Sequence, residues 1–324
     1  MKQMFVCTLL IAAVSMQAAF ASGDEKMPGS EKPAIVLAAF GTTEPAAVDS
    51  ILNIKRRVEA AFPEYDVYLA FTSNIVRKIW HERAGDDEFK KENPGIPEEL
   101  YSITNVFSAL AAAQEEGFRP VLVQSLHVTD GEEYGDLKNL VDLLGSYETA
   151  KARRKPFPAI GVGEPALGVG DGQDKYLVRA AAALQPLADK AKADGAALVL
   201  MAHGNEHLNQ SVFGKFEKIL RDKYGSQVYI GTVEAEPLAE DVVEAVKASA
   251  DAPKKVLLAP MMIVAGDHTL NDMASDEDDS WATLFREAGY EVECHLEGLG
   301  SNASWADIYV EHLKALEKKV ITAK

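Results

Sequence analysis

Four short apolar runs recur in the same order in each half of the chain, and each breaks into a polar or glycine-containing stretch. Ala34–Phe40 followed by Gly41 is answered by Ala197–His203 followed by Gly204, and Asp66–Asn74 by Gln227–Glu236. Val121–His127 is answered by Val256–His268, and Ala159–Gly168 by Glu291–Gly300. Near-continuous apolarity over so few residues predicts parallel strands buried on both faces. Between them the spacing turns helical over Pro45–Phe62, Thr104–Glu116 and Glu132–Tyr147 in the first half. The second half repeats it over Asp174–Lys192, Leu208–Tyr224, Leu238–Ala248 and Ser275–Ala288, and the chain closes on an amphipathic helix from Trp305 to about Lys319. A polar, proline-containing loop is expected between Arg83 and Glu99, and a basic connector at Arg153–Pro158. This alternation predicts an α/β protein of two similar doubly wound parallel-sheet domains, 33–168 and 169–304, with a cleft between them. The last helix, within 305–324, is expected to pack back on the N-terminal domain.

At 324 residues, with 47% hydrophobic and 26% charged residues, the chain suits two ordinary α/β domains. Its start belongs to neither. Lys2, the apolar run Met4–Met16 and Ala19-Phe20-Ala21 before Ser22 read as a cleavable signal peptide over 1–21, with a polar, disordered lead-in over 22–32. The expected location is the periplasm. Cys7 sits far from the cleavage site, against a lipoprotein anchor, and no later segment is long and apolar enough to span a membrane. Removal of the signal leaves Cys294 alone, so no intrachain disulfide forms. A formal charge of −17 makes nucleic acid and anionic membrane surfaces poor partners.

Open α/β sheets gather ligands outside the carboxyl ends of their strands. There the second half presents His203, Glu234 and His268. Taken singly, His203 reads as a strand-end histidine bonded to a neighbouring carbonyl, and Glu234 as a solvated loop residue. Together, two imidazoles and a carboxylate from three strands suit a divalent metal. His207 is either a further ligand or a residue at the mouth. Asp267 or Asp272 would orient the ring of His268, or Asp267 or Asn271 would cap the next helix. From the first half, His127 and Glu133 would face the same cleft, although Glu132 and Glu133 also suit a helix N-terminus. Ser275–Asp279 reads as a cap with first-turn acids, or as a cation-attracting rim. No phosphate-cradling loop or nucleophile elbow is present, and Gly161-Val162-Gly163 is too short for a dinucleotide fingerprint.

Met201-Ala202-His203-Gly204, Val233-Glu234-Ala235-Glu236-Pro237, Ser125-Leu126-His127 with Gly131-Glu132-Glu133-Tyr134, and above all the run from Ala265 to Asp276 resemble the anaerobic cobaltochelatases. These class II chelatases act on sirohydrochlorin and share the ferrochelatase-like fold; the resemblance runs from about Ala34 to the final helix. It implies that His203 and His268 serve metal insertion, with Glu234 joining them on the metal, and that Glu133 is a further cleft residue. One histidine would double as the base. The substrate would be a tetrapyrrole and the inserted ion Co2+, with Fe2+ or Ni2+ as other loads. A substrate rich in carboxylates calls for cations in the cleft of so acidic a protein, and Arg77 and Lys78 are the candidates. The signal peptide departs from the family's cytoplasmic pattern. The alternative is therefore a periplasmic, non-catalytic metal or haem carrier on the same fold, with His81 as an axial haem ligand at a subunit contact or simply a surface histidine. A homo-oligomer is compatible with either reading.

Overall fold

The computed structural model describes residues 32–204 and 211–322. The expected signal peptide, all but the last residue of the lead-in, and His207 lie outside the described residues. The first half runs β1 (Ala34–Ala39), α1 (Val48–Ala61), β2 (Asp66–Phe71), α2 (Asn74–Arg83), α3 (Asp87–Glu92), α4 (Val106–Glu115), β3 (Val121–Ser125), α5 (Glu132–Ser146) and β4 (Ile160–Gly163). The second runs α6 (Asp174–Ala183), α7 (Gln185–Ala193), β5 (Ala196–Ala202), α8 (Ser211–Tyr224), β6 (Val228–Thr232), α9 (Ala239–Lys247), β7 (Lys255–Pro260), α10 (Trp281–Glu287) and β8 (Glu291–Cys294). The closing helix is α11 (Ala303–Thr322). The strands form two four-stranded sheets, ordered β2-β1-β3-β4 and β6-β5-β7-β8. Every strand pair is parallel.

β1 and β5 are buried along their whole length, and their period of two divides the core. Ile35 and Leu37, with Leu198 and Leu200, face a central layer that both sheets share with α1, α6, α8 and α11. Val36 and Ala38 face an outer layer under α4 and α5, and Val199 and Met201 face one under α9 and α10. Helix α11 buries Trp305, Ile308, Tyr309, Leu313 and Leu316. It lies against α1, β3, β4 and α6. Leu316 and Val320 come so close to Gly161 that a Cβ there would meet Val320 at 2.8 Å. Arg57 and Asp307 form a bidentate pair, and Arg179 meets Glu311, but both pairs are partly solvated and add little beside the apolar contact.

Three elements differ from the expectation. The single helix foreseen over Asp174–Lys192 is two, because Pro186 lies in the first turn of α7 and cannot continue α6. The loop between Arg83 and Glu99 contains α3, which buries no residue and is capped by Asp86 accepting from the Phe89 amide (2.9 Å). Helix α10 begins at Trp281 rather than near Ser275, with the hydroxyl of Ser280 as its cap.

Candidate active site

The carboxyl ends of the two central strands are built alike, bond for bond. In the first sheet the amide of Thr72 donates to the carbonyl of Ala39 (2.8 Å) and that of Ser73 to Phe40 (3.2 Å). In the second sheet the amide of Val233 donates to Ala202 (3.0 Å) and that of Glu234 to His203 (3.0 Å). Leu126 and Met261 likewise donate to Ala38 and Met201. The pairing makes Phe40 the counterpart of His203, Ser73 of Glu234, and Leu126 of Met261. Gly41 and Gly204 follow at φ +101° and +80°. Both sites are crowded: a Cβ on Gly41 would meet the Phe71 ring at 2.7 Å, and one on Gly204 the Thr232 hydroxyl at 2.6 Å.

These ends open onto a cleft of about 640 Å³ between the lobes, walled on one side by Phe40, Thr42, His127 and Glu133 and on the other by His203, Glu234 and His268. The rings of His203 and His268 stand 4.8 Å apart between centroids, nearly perpendicular at 85°. A Glu234 carboxylate oxygen lies 3.5 Å from Nδ1 of His203. Nδ1–H of His203 donates to the Gly204 carbonyl (2.9 Å), and Nδ1–H of His268 to Asp272 (2.5 Å). With Nδ1 so engaged on both rings, each Nε2 keeps its lone pair for a ligand. Of the acids considered for orienting His268, Asp272 does so, whereas Asp267 accepts from the Asn271 side chain (2.8 Å).

One expectation is corrected here. His268 does not directly follow a strand: β7 stops at Pro260, and seven residues intervene before His268 opens a single π-helical turn over Thr269–Met273. The three side chains of the trio stand next to one another on the cleft wall. Among the described residues no group of three or more His, Cys, Asp or Glu side chains is arranged to hold a metal ion. Glu234 approaches the nitrogen of His203 that is turned to the backbone, so three-point coordination requires rotation of partly exposed side chains.

On the first lobe, Nδ1 of His127 meets the Ser125 hydroxyl (2.8 Å) while its Nε2 is buried without a partner. Burial pushes the imidazole down to about 4, with only slight opposition from Glu133, so it is neutral at physiological pH. Glu133 is exposed on the cleft wall. Arg77 is not on that wall; its guanidinium caps the end of β2, donating to the carbonyls of Phe71 (2.5 Å) and Thr72 (3.0 Å) and to the Asn74 side chain. Lys78 is exposed beside Glu82 (3.7 Å). Among the described residues that line the cleft there is no Lys or Arg, and Leu126, Met261, Met262, Ile263 and Val264 make it strongly apolar. His81 is on α2, away from the lining, with its Nε2 donating to the Ile103 carbonyl (2.7 Å). Asp276, in the acidic run, pairs with Arg286 (3.2 Å). Sequence reasoning passed over Phe40 and Thr42; the signal for Phe40 was present, since Phe40-Gly41 and His203-Gly204 end matching runs.

The sequence profile of the cobalt chelatase (CbiK) family matches residues 33–318. The chain belongs to that family. It is 28% identical over 284 residues to the sirohydrochlorin cobaltochelatase of Salmonella typhimurium, covering 87% of this chain and 95% of that one. It is 30% identical over 285 residues to the sirohydrochlorin cobaltochelatase CbiKC of Nitratidesulfovibrio vulgaris, covering 88% and 90%. The structure of SirB from Bacillus subtilis with Fe3+ superposes with a TM-score of 0.56 at 10% identity, over 88% of this chain and 95% of that one. That likeness bears on the fold: two lobes of parallel sheet about one cleft.

Proposed function

We propose that this chain is a sirohydrochlorin cobaltochelatase, inserting Co2+ into the macrocycle with release of two protons. The observation that carries the reading is the pair of imidazoles, His203 and His268, 4.8 Å apart beside Glu234 at the cleft wall of a cobalt chelatase family member. Imidazole and carboxylate donors suit Co2+ and leave coordination positions open for the ring nitrogens. The metal arrives as substrate: His203, Glu234 and His268 take it from water, and the pyrrole nitrogens replace them as it passes on. Each pyrrole N–H proton needs an acceptor, and the lone pair of an imidazole that has released the metal can take one. Neither side chain is fixed in a closed donor set, which fits a site that must let go of its ion. Fe2+ and Ni2+ are further loads for the same donors, and export to the periplasm belongs to this reading, supported by the residues of the leader alone.

An anaerobic absorbance assay with sirohydrochlorin and Co2+ tests the proposal, and the same assay with Fe2+ and Ni2+ ranks the metals. His203→Ala and His268→Ala are expected to abolish insertion; variants as fast as the parent would remove both residues from the reaction. Cell fractionation of the full chain tests export, which a cytosolic, uncleaved protein would refute.

A further inference from the structure

The geometry points to Phe40 as the residue that positions the tetrapyrrole, its ring stacking on a face of the macrocycle opposite the imidazole-bearing wall. The inference rests on the chelatase reading and extends it to substrate recognition.

Three observations carry it. Phe40 lines the cleft and is 50% exposed, whereas the other aromatics of the lining, Tyr134 and Phe213, are each only 5% exposed. It therefore offers the one free aromatic face among the described lining residues. Secondly, its backbone is held: its carbonyl accepts from the Ser73 amide, and Gly41 turns the chain with no room for a Cβ over Phe71. An aromatic ring fixed at its base but bare on its faces loses little side-chain freedom when a flat ligand covers it. Thirdly, its place in the sheet is that of His203 in the other lobe, so the two side chains rise from equivalent strand ends on opposite sides of one cleft. With no Lys or Arg among the described lining residues, apolar and stacking contacts hold the ring plane, with the macrocycle's carboxylates toward water.

The test titrates metal-free sirohydrochlorin into the full chain and into Phe40→Ala, Phe40→Leu and Phe40→Trp, following absorbance, and then measures Co2+ insertion. Phe40→Ala is expected to raise both Kd and KM for the tetrapyrrole roughly tenfold, the loss of one good stacking contact with its buried area. Its KM for Co2+ stays unchanged, as does its melting temperature. Phe40→Trp restores binding and Phe40→Leu does not. Unchanged tetrapyrrole binding in Phe40→Ala, full rescue by Leu, or an equal rise in the Co2+ KM would each overturn the inference. If the parent binds sirohydrochlorin but inserts no metal, the chelatase reading fails while the binding series still decides the role of Phe40.

Discussion

The two lobes differ at their strand ends far more than in their strands. Both sheets share one order, and the amides of Ser73 and Glu234 reach back to the same position of their central strands. Yet the first lobe carries phenylalanine and serine where the second carries histidine and glutamate. After β3 the chain passes through Leu126 and His127 to α5, whereas after β7 it makes the eight-residue excursion that delivers His268. The scaffold is therefore indifferent to what stands on it: parallel-sheet hydrogen bonding sets backbone positions, and the side chains placed there divide the labour. One wall offers metal donors and the other the exposed ring of Phe40.

The comparison breaks most visibly if the walls are made equal. His203→Phe gives the second lobe its counterpart's side chain, and Co2+ insertion should fall about a thousandfold, as for loss of a group that both binds metal and moves protons. Activity near the parent's, in the anaerobic assay, would mean the lobes do not divide the work in this way.

The next effect lies in His127, whose backbone counterpart is Met262: their carbonyls accept from Ala166 and Leu299 respectively. Because burial lowers the folded-state value of His127 to about 4, the unfolded chain takes up a proton first as pH falls. The fold is thus fully supported above about pH 6.5, loses stability as pH falls from there to about 4, and loses on the order of 3 kcal/mol in all. His312 and His295 are also pushed down by burial and add to the same slope. His127→Met should flatten part of it in denaturant titrations between pH 7 and 4, and an unchanged slope would show that His127 is not held neutral.

Gly41 and Gly204 sharpen the symmetry itself. Either glycine to alanine should cost about 2 kcal/mol, since both need positive φ and a Cβ meets occupied space. Comparable drops in melting temperature are expected, and a loss at one alone would make the crests unequal in backbone as well as in chemistry. The smallest effect is Asp272→Asn, which leaves His268 in place but weakens the acceptor of its Nδ1–H. Insertion should slow roughly tenfold, as for other groups that orient a metal-binding histidine.

The repeat was readable in the sequence because buried parallel strands leave unbroken apolar runs, and Ala34–Ala39 and Ala196–Ala202 have no polar residue at all. The break between α6 and α7 was not foreseen, although it follows from the missing N–H of Pro186. The helix α3 was not, because it buries nothing and so shows no apolar period. At the site, His203 and Glu234 sit where a strand-end rule puts them. His268 does not: a strand's apolar run marks where it ends, not where an irregular stretch such as 261–268 leads. Arg77 misled for a related reason, since composition calls for a cation but cannot show that β2's own carbonyls already hold it. The alignment of His127 with His268 failed because a repeat in sequence fixes strands, and only the hydrogen-bond ladder fixes which loop residues correspond.

The last helix has a consequence for how the molecule comes into being. Trp305, Tyr309 and Leu313 of α11 complete the central layer against β3 and β4, strands made more than a hundred residues earlier. Until α11 is in place, the face of β3 and β4 that it covers lacks its apolar partner, so the core of the first lobe is completed by residues from the far end of the chain.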